Sequence, residues 1–377
     1  MTARLDRPGL LFALIGLVGL VLPLVQFKAN RIVPGDGVSM ALPLAGLLAL
    51  ILLGGCLRWS HGLRLAAALA GLGTVIAALG GTARALMADG PALARVAPAA
   101  GFWLLLLAFA LMLTDAVTRL RPALHWRWLM LAGAIALVAM VLSTGWLDQV
   151  SVMREYAARR DAFLREGVAH LYLAFGSLGL ALMIGLPLGV AIHQAPSARG
   201  PVLSVLNILQ TIPSLALFGI MIPIFGWIAA NVPGAAQAGI AGIGVFPALV
   251  ALFLYSLLPV VSNTLTGLSG VSPATQEAAI GLGLTRFQRL TWVLVPLALP
   301  VLLAAIRIVL VQNIGLAVIA GLIGGGGFGT FVFQGLNQTA MDLVLLGALP
   351  TIGLALVAGI ALDLLVQTLN HTTPRPA

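Results

Sequence analysis

The sequence predicts an all-α, polytopic membrane protein of about ten transmembrane helices. Two features of composition and one of patterning carry that expectation. Only 8% of the 377 residues are charged and 60% are hydrophobic, whereas a soluble domain has roughly a quarter of its residues charged. Mean hydropathy is +1.09. The apolar residues lie in runs close to the ~20 residues that cross a bilayer as a helix. They do not form the short alternating segments of a membrane β-barrel. Helices are the expected spanning element because hydrocarbon offers no partner to an unpaired N–H or C=O.

The runs fall at about Gly9–Phe27, Val38–Leu57, Leu65–Gly81, Pro98–Val117, Leu129–Leu147, Ala169–Ile192, Val202–Trp227, Val245–Thr266, Leu297–Leu322 and Leu343–Leu369. Arg4 and Arg7 before the first run resemble the charged start of a signal peptide. That run is longer than a usual signal core, and "QFKANR" follows it with no small-x-small cleavage site, so it is expected to stay as the first span. Asp148–Val168 reads as an amphipathic helix, with Val152, Met153, Tyr156, Ala157, Phe163 and Leu164 in a stripe broken by Arg160. Glu155–Arg159 and Asp161–Arg165 stand at favourable i,i+4 spacing. This segment, 148–168, is expected to lie on the periplasmic surface and to connect an N-terminal accessory five-span block, 1–147, to a second block, 169–377.

Pro213 and Pro223 should kink the seventh span. Gln210, Thr211 and Ser214 place polar groups beside the first kink, and Gln312 and Asn313 do so in the ninth span. These residues either line a translocation pathway or satisfy freed backbone groups.

Orientation follows from Arg and Lys in the loops. With the N-terminus inside, inner segments hold eleven such residues, including Arg4, Arg58, Arg64, Arg119, Arg199, Arg286, Arg289 and Arg375, against eight outside, including Arg31. Both termini are therefore expected on the cytoplasmic side. The net charge of +9 does not indicate nucleic acid, because the cations are scattered at the ends of apolar runs and form no stripe. Cys56 is alone, so neither a disulfide nor a thiolate cluster forms within the chain. "GGGGFG" (Gly324–Gly329) lacks the strand and acidic partner of a dinucleotide site and reads as a flexible outer re-entry beside the pathway or, alternatively, as plain close packing. Arg307 is an intramembrane charge expected to snorkel or to meet a carbonyl, or else to face a cavity or a partner. Asp115 and Asp363 are expected to reach water, and His170 and His193 to sit at the interfaces. With no HExxH and no GxSxG, no catalytic residue or metal site is expected.

The half-polar stretch "SPATQEAAIGLGLTRFQRLTWVLVP" (Ser272–Pro296) interrupts the apolar runs. Ser272 and Pro273 start a helix. Gly283 supplies the left-handed residue that ends it. Thr285 with Gln288 forms a capping box for a second short helix, whose apolar side is Phe287, Leu290 and Leu294. The expected form is a short helix, a glycine corner and another short helix before the bend at Pro296 and Pro300. Such an elbow is shaped to dock into another protein or to rest on lipid headgroups.

This stretch resembles the EAA loop of ABC-importer permeases: Glu277-Ala278-Ala279, then Gly283, then Val293-Leu294-Val295-Pro296 at the family's spacing. Ile and Leu of the family pattern are replaced by Val. "LNILQTIPSLALFGIMIPIFG", "PALVALFLYSLLPVVSNTLTGL" and "IGLAVIAGLIGGGGFGTFVFQGL" resemble osmoprotectant permeases. The first five spans with "ANRIVPGDG" resemble the extended N-terminal block of glycine betaine permeases of that branch. The resemblance implies a type I importer permease core with a cytoplasmic coupling loop at 270–296, in a bacterial inner membrane. Glu277, Ala278, Ala279, Gly283 and Pro296 then belong to the loop that docks on an ATPase. Arg286 and Arg289 meet either acidic groups of that ATPase or lipid phosphate. It also implies a second permease subunit, an external substrate-binding protein and a quaternary-ammonium osmolyte as substrate. ATP and Mg would be bound by the partner, with no cofactor on this chain. The competing expectation is a self-contained, ion-coupled secondary transporter built as a 5+5 inverted repeat. Against it, the first block has no EAA-like loop.

Overall fold

The structure, a computed structural model, describes residues 6–30, 33–57, 59–91 and 93–372. Arg4, Arg31, Arg58 and Arg375, which enter the orientation count, lie outside the described residues. The chain divides into two compact units, Met1–Ala158 and Arg159–Ala377. Eight described helices are long and apolar enough to cross a membrane, and two more apolar helices are shorter.

The first unit opens with α1 (Arg7–Val21). Asp6 caps it by accepting a hydrogen bond from the Gly9 N–H at 3.0 Å. Pro23 then stops the run early, because a residue before proline avoids helical backbone. Leu22 is accordingly extended, at φ −85° and ψ 155°. The expected span Gly9–Phe27 thus becomes a 15-residue helix followed by strand β1 (Val25–Lys28). Val38, expected in the second span, ends strand β2 (Asp36–Val38), and the 14-residue α2 (Leu42–Gly55) follows.

β1 pairs antiparallel with β2 on one edge, Val25 opposite Val38. On the other edge it pairs with β3 (Arg95–Pro98), Phe27 opposite Val96. This small three-stranded sheet is a local addition to a chain that is otherwise helical, as expected. Val25 and Val96 fall on one face, and both are fully buried.

α3 (His61–Ala88) packs along α4 (Ala100–Leu120). Gly71 lets Phe109 lie against the α3 backbone, since a Cβ there would come within 2.3 Å of the ring. Small residues serve this purpose in lipid, where packing rather than hydrophobic exclusion joins helices. Asp115 on α4 does not reach for water. Arg64 on α3, only 2% exposed, donates Nη1 to Asp115 at 2.5 Å and to Asp6 at 2.8 Å. Its Nη2 donates to the carbonyls of Gly55 and Leu57. Arg119 pairs with the same two carboxylates. Two guanidinium and two carboxylate groups therefore close a neutral network at one end of the unit. α5 (Leu124–Ser143) buries no side chain within the chain.

The segment 148–168, expected as one connecting helix, is divided. α6 (Ser151–Ala158) ends the first unit. Arg159 leaves helical geometry at φ −130°, ψ 24°, and α7 (Arg160–Gln194) then runs 35 residues without interruption.

In the second unit α10 (Val245–Ser269) is central. On it pack α7, α8 (Pro196–Thr211), α9 (Ser214–Asn231) and α13 (Val295–Ala320). α14 (Gly329–Asn337) and α15 (Met341–Thr372) complete the unit against α13. The expected seventh span is broken at Pro213 into α8 and α9. Arg307 pairs with Asp363 of α15, so it meets a carboxylate instead of a carbonyl, while nearly half of the Asp363 side chain stays exposed.

The glycine run Gly324–Gly329 is a packed turn and not a loose re-entry. Gly324, Gly326 and Gly327 have φ of 76°, 76° and 85°. A Cβ on Gly329 would lie 1.7 Å from the Val318 carbonyl oxygen. Glu166 of α7 accepts a hydrogen bond from Thr330 at 3.2 Å. His170, expected at an interface, is fully buried, and its Nδ1 accepts from the Phe328 N–H at 3.3 Å. Gly329→Ala should therefore be poorly tolerated, because the obstructing atom is backbone. A cost of about 3 kcal/mol or more is expected, at or above the upper range for overpacking, read as a fall in melting temperature of the purified protein. Gly315→Ala, where a Cβ meets nothing within 4 Å, is the matched control and should melt as the parent.

Candidate functional site

The elbow forms where the sequence places its helix signals. In α11 (Pro273–Gly281) the Ser272 hydroxyl accepts from the Thr275 N–H at 3.2 Å. At the other end the Leu284 N–H bonds the Ala279 carbonyl and the Gly283 N–H bonds the Ile280 carbonyl, at 3.2 and 2.9 Å. This is a Schellman end, and it needs the left-handed residue that Gly283 provides at φ 75°. Thr285 and Gln288 then exchange both bonds of a capping box at the start of α12 (Arg286–Gln288).

The second arm differs from expectation. α12 is not a separate short helix before a bend. It passes through one π-helical segment, Arg289–Leu294, directly into α13. Arg286–Ile323 is accordingly one 38-residue span. Its facing also differs. Leu294 is buried and Leu290 packs beside it, but Phe287 points away from them and is 73% exposed. Ile280 and Leu282 are likewise exposed, Leu282 at 80%. The elbow therefore carries an apolar crest on its outer side, a feature sequence reading missed. The signal available was an apolar residue at the helix end immediately before a turn glycine, which tips that side chain off the core-facing stripe.

Glu277, Ala278, Gly283 and Arg286 are exposed as well. Ala279 is 4% exposed and anchors the elbow to the bundle. Arg289 is half-buried beneath the elbow, and Pro296 is exposed on the flank of the span.

The residues singled out in the membrane separate into two sets. Pro259 inside α10 has no N–H, so the Tyr255 carbonyl one turn earlier loses its helical partner. Gln210 supplies one, its Nε2 donating to that carbonyl at 2.8 Å. The Tyr255 hydroxyl in return donates to the Ile212 carbonyl at the α8–α9 break. Thr211 and Pro213 are exposed at this break, and Ser214 is half-buried. Thr211 returns its hydroxyl to the Ile208 carbonyl. The second set centres on Asn313, which is fully buried. Its Nδ2 donates to Ser177 of α7 at 2.8 Å, and its Oδ1 accepts from Ser256 of α10 at 3.0 Å. Gln312 beside it is half-buried. Both sets meet α10 at the adjacent residues Tyr255 and Ser256. Among the described residues, no group of three His, Cys, Asp or Glu could hold a metal ion.

Comparison with known proteins agrees with this architecture. Residues 6–153 match the family described as ABC transporter permease YehY, N-terminal domain. Residues 181–371, which contain the elbow and both polar sets except Ser177, match the binding-protein-dependent transport system inner membrane component. The osmoprotectant import permease protein OsmW of Salmonella typhimurium is 45% identical over 188 residues, 50% of this chain and 82% of that protein. The glycine betaine/carnitine/choline transport system permease protein OpuCB of Bacillus subtilis is 37% identical over 188 residues, 50% of this chain and 79% of that one. The choline transport system permease protein OpuBB of the same organism is 36% identical over 50% of this chain and 79% of its own length. The chain belongs to the family of binding-protein-dependent transport system inner membrane components.

Proposed function

We propose that this chain is the translocating subunit of an importer driven by a separate ATPase, and that the elbow is where the ATPase bears on it. The observation that supports this most is the crest of Ile280, Leu282 and Phe287, exposed beside polar Glu277 and Arg286. Apolar side chains rimmed by polar ones mark a partner surface. The Schellman end and capping box hold the crest in one shape before docking, which lowers the ordering cost of binding.

In this reading the elbow and both termini face the cytoplasm of a bacterial inner membrane, and ATP and Mg stay on the partner. The substrate is a small quaternary-ammonium osmolyte, glycine betaine or choline, as the names of the relatives suggest. A binding protein delivers it from outside, and a second permease subunit completes the pathway. Transport proceeds by alternating access. Thr211, Pro213, Ser214 and Gln312 are the proposed pathway residues, whereas Gln210 serves the α10 backbone through the Tyr255 carbonyl. The bonds of Asn313 favour holding α7, α10 and α13 together.

One route to ion coupling is a membrane carboxylate free to exchange its ion. Asp363 is occupied by Arg307. The described part of the first unit has a three-stranded sheet and no counterpart of the elbow, which argues against a repeat. Uptake of labelled glycine betaine into vesicles should require internal ATP, the ATPase subunit and the binding protein together. Accumulation by this chain alone on a sodium or proton gradient would overturn the reading.

A further inference from the structure

A histidine and two arginines from three elements lie near the corner where α7 and α10 end. His193 lies in the last turn of α7, and its Nδ1 is 3.3 Å from the Ser269 hydroxyl at the end of α10. Arg199, in α8, folds back on the end of α7, with Nε on the Ile192 carbonyl at 2.9 Å and Nη2 on the His193 carbonyl at 2.7 Å. Arg289 opens the π-helical segment. Its neighbour Leu290 packs with Val190 of α7 and Leu268 of α10, which sets Arg289 beside the same corner.

Among the described residues, no carboxylate pairs with this corner. The second unit holds Asp161, Glu166, Glu277, Asp342 and Asp363 as its acids. Glu166 bonds Thr330 at the opposite end of α7, and Asp363 is paired with Arg307. Arg199 and Arg289 form no ion pair among the described residues, and neither does Glu277. The C-terminal carbonyls of α7 offset part of the Arg199 charge, and an anion would complete it together with Arg289. The position says which anion. The corner lies where three long apolar helices end, and Trp292, 65% exposed, stands three residues from Arg289. Exposed Trp at a span end marks the headgroup level of a bilayer.

We propose that His193, Arg199 and Arg289 form a binding site for the phosphate of an anionic phospholipid. This assigns Arg289 to the membrane and leaves Arg286, on the exposed side of the elbow, to the partner protein. It rests on the chain spanning a bilayer but not on the identity of the ATPase or the substrate.

The test uses the full chain, purified and exchanged into nanodiscs of phosphatidylcholine with or without phosphatidylglycerol, with retained lipid counted by native mass spectrometry. The parent should retain phosphatidylglycerol over phosphatidylcholine. Arg289→Gln should lower that retention about fivefold, the effect of one cation near a charged surface. Arg289→Lys should keep it, and Arg286→Gln should leave it unchanged. Millimolar orthophosphate should not displace the lipid. Equal retention in Arg289→Gln and the parent would overturn the site. So would loss in both Arg289 variants, because charge would then not be what the lipid reads. Displacement by orthophosphate would reassign the corner to a free anion. Unchanged lipid with lost ATPase association in Arg289→Gln would reassign it to a protein carboxylate. The last two outcomes also overturn the proposal.

Discussion

With the elbow as the proposed docking site, Leu282→Glu is expected to strip a partner ATPase from the purified protein while leaving the chain as stable as before. Leu282 contributes almost nothing to its own fold, being 80% exposed at the C-cap of α11. Its backbone serves the Schellman end whatever the side chain. In a docked complex it becomes an apolar anchor, and burying a leucine contributes about 1.5–3 kcal/mol. Glutamate removes that gain and adds a charge to be desolvated. A loss of about 3–4 kcal/mol is the size of an interface hot spot and weakens association by roughly 10²–10³-fold. Co-purification and ATP-driven uptake should both vanish, with melting temperature unchanged. Phe287→Glu should act alike. Gly283→Pro should give the same loss by another route, since proline is locked near φ −65° and the corner needs 75°. An ATPase that still co-purifies with Leu282→Glu would show that the crest serves something else.

Arg64→Ala is expected to be the most destabilising single change in the first unit. The side chain is 2% exposed and its Nη1 bridges Asp6 and Asp115. Removing it leaves two carboxylates facing Arg119 alone, with the Gly55 and Leu57 carbonyls losing a donor. Breaking a buried pair from one side costs about 3–5 kcal/mol, because the survivors stay desolvated. Arg64→Lys should not restore stability, since one ammonium cannot replace a planar fork that reaches four acceptors. Arg64→Ala melting within a degree or two of the parent would refute this account. The network also predicts the pH response. Burial alone would raise the Asp6 carboxyl, but hydrogen bonds from Arg64, the Gly9 N–H and Arg119, with the Arg64 charge, hold it below the ordinary value. Its contribution is therefore complete above the unfolded carboxylate value, near 4. It is lost as pH falls through the lower folded value. Asp6→Asn should melt lower than the parent at pH 7, and the gap should narrow in acid.

The long helices and both ends of α11 were legible because their signals are local. An apolar run, a capping serine and a turn glycine each act within a few residues of themselves. The sheet was not legible. Its strands are three or four residues each, and Val25 meets Val38 and Pro98 only because the chain returns from a distance. Asp115 and Asp363 looked free for the same reason, since their partners Arg64 and Arg307 stand 51 and 56 residues away in sequence. Pro23 was readable as a stop and explains why the first helix is short. Gln210 was recognised as a polar group beside a kink, but the orphaned carbonyl it serves lies on another helix, 45 residues on.

The π-helical segment Arg289–Leu294 has a geometric consequence for the elbow. Such a segment amounts to one surplus residue wound into an otherwise regular spiral. Deleting one residue there would let the winding relax, with everything beyond Val295 held in place by its neighbours. The tip at Leu282 and Phe287 would then swing by about 100° around the rod, one residue's share of a turn. The insertion thus acts as a protractor that fixes the compass bearing of the tip.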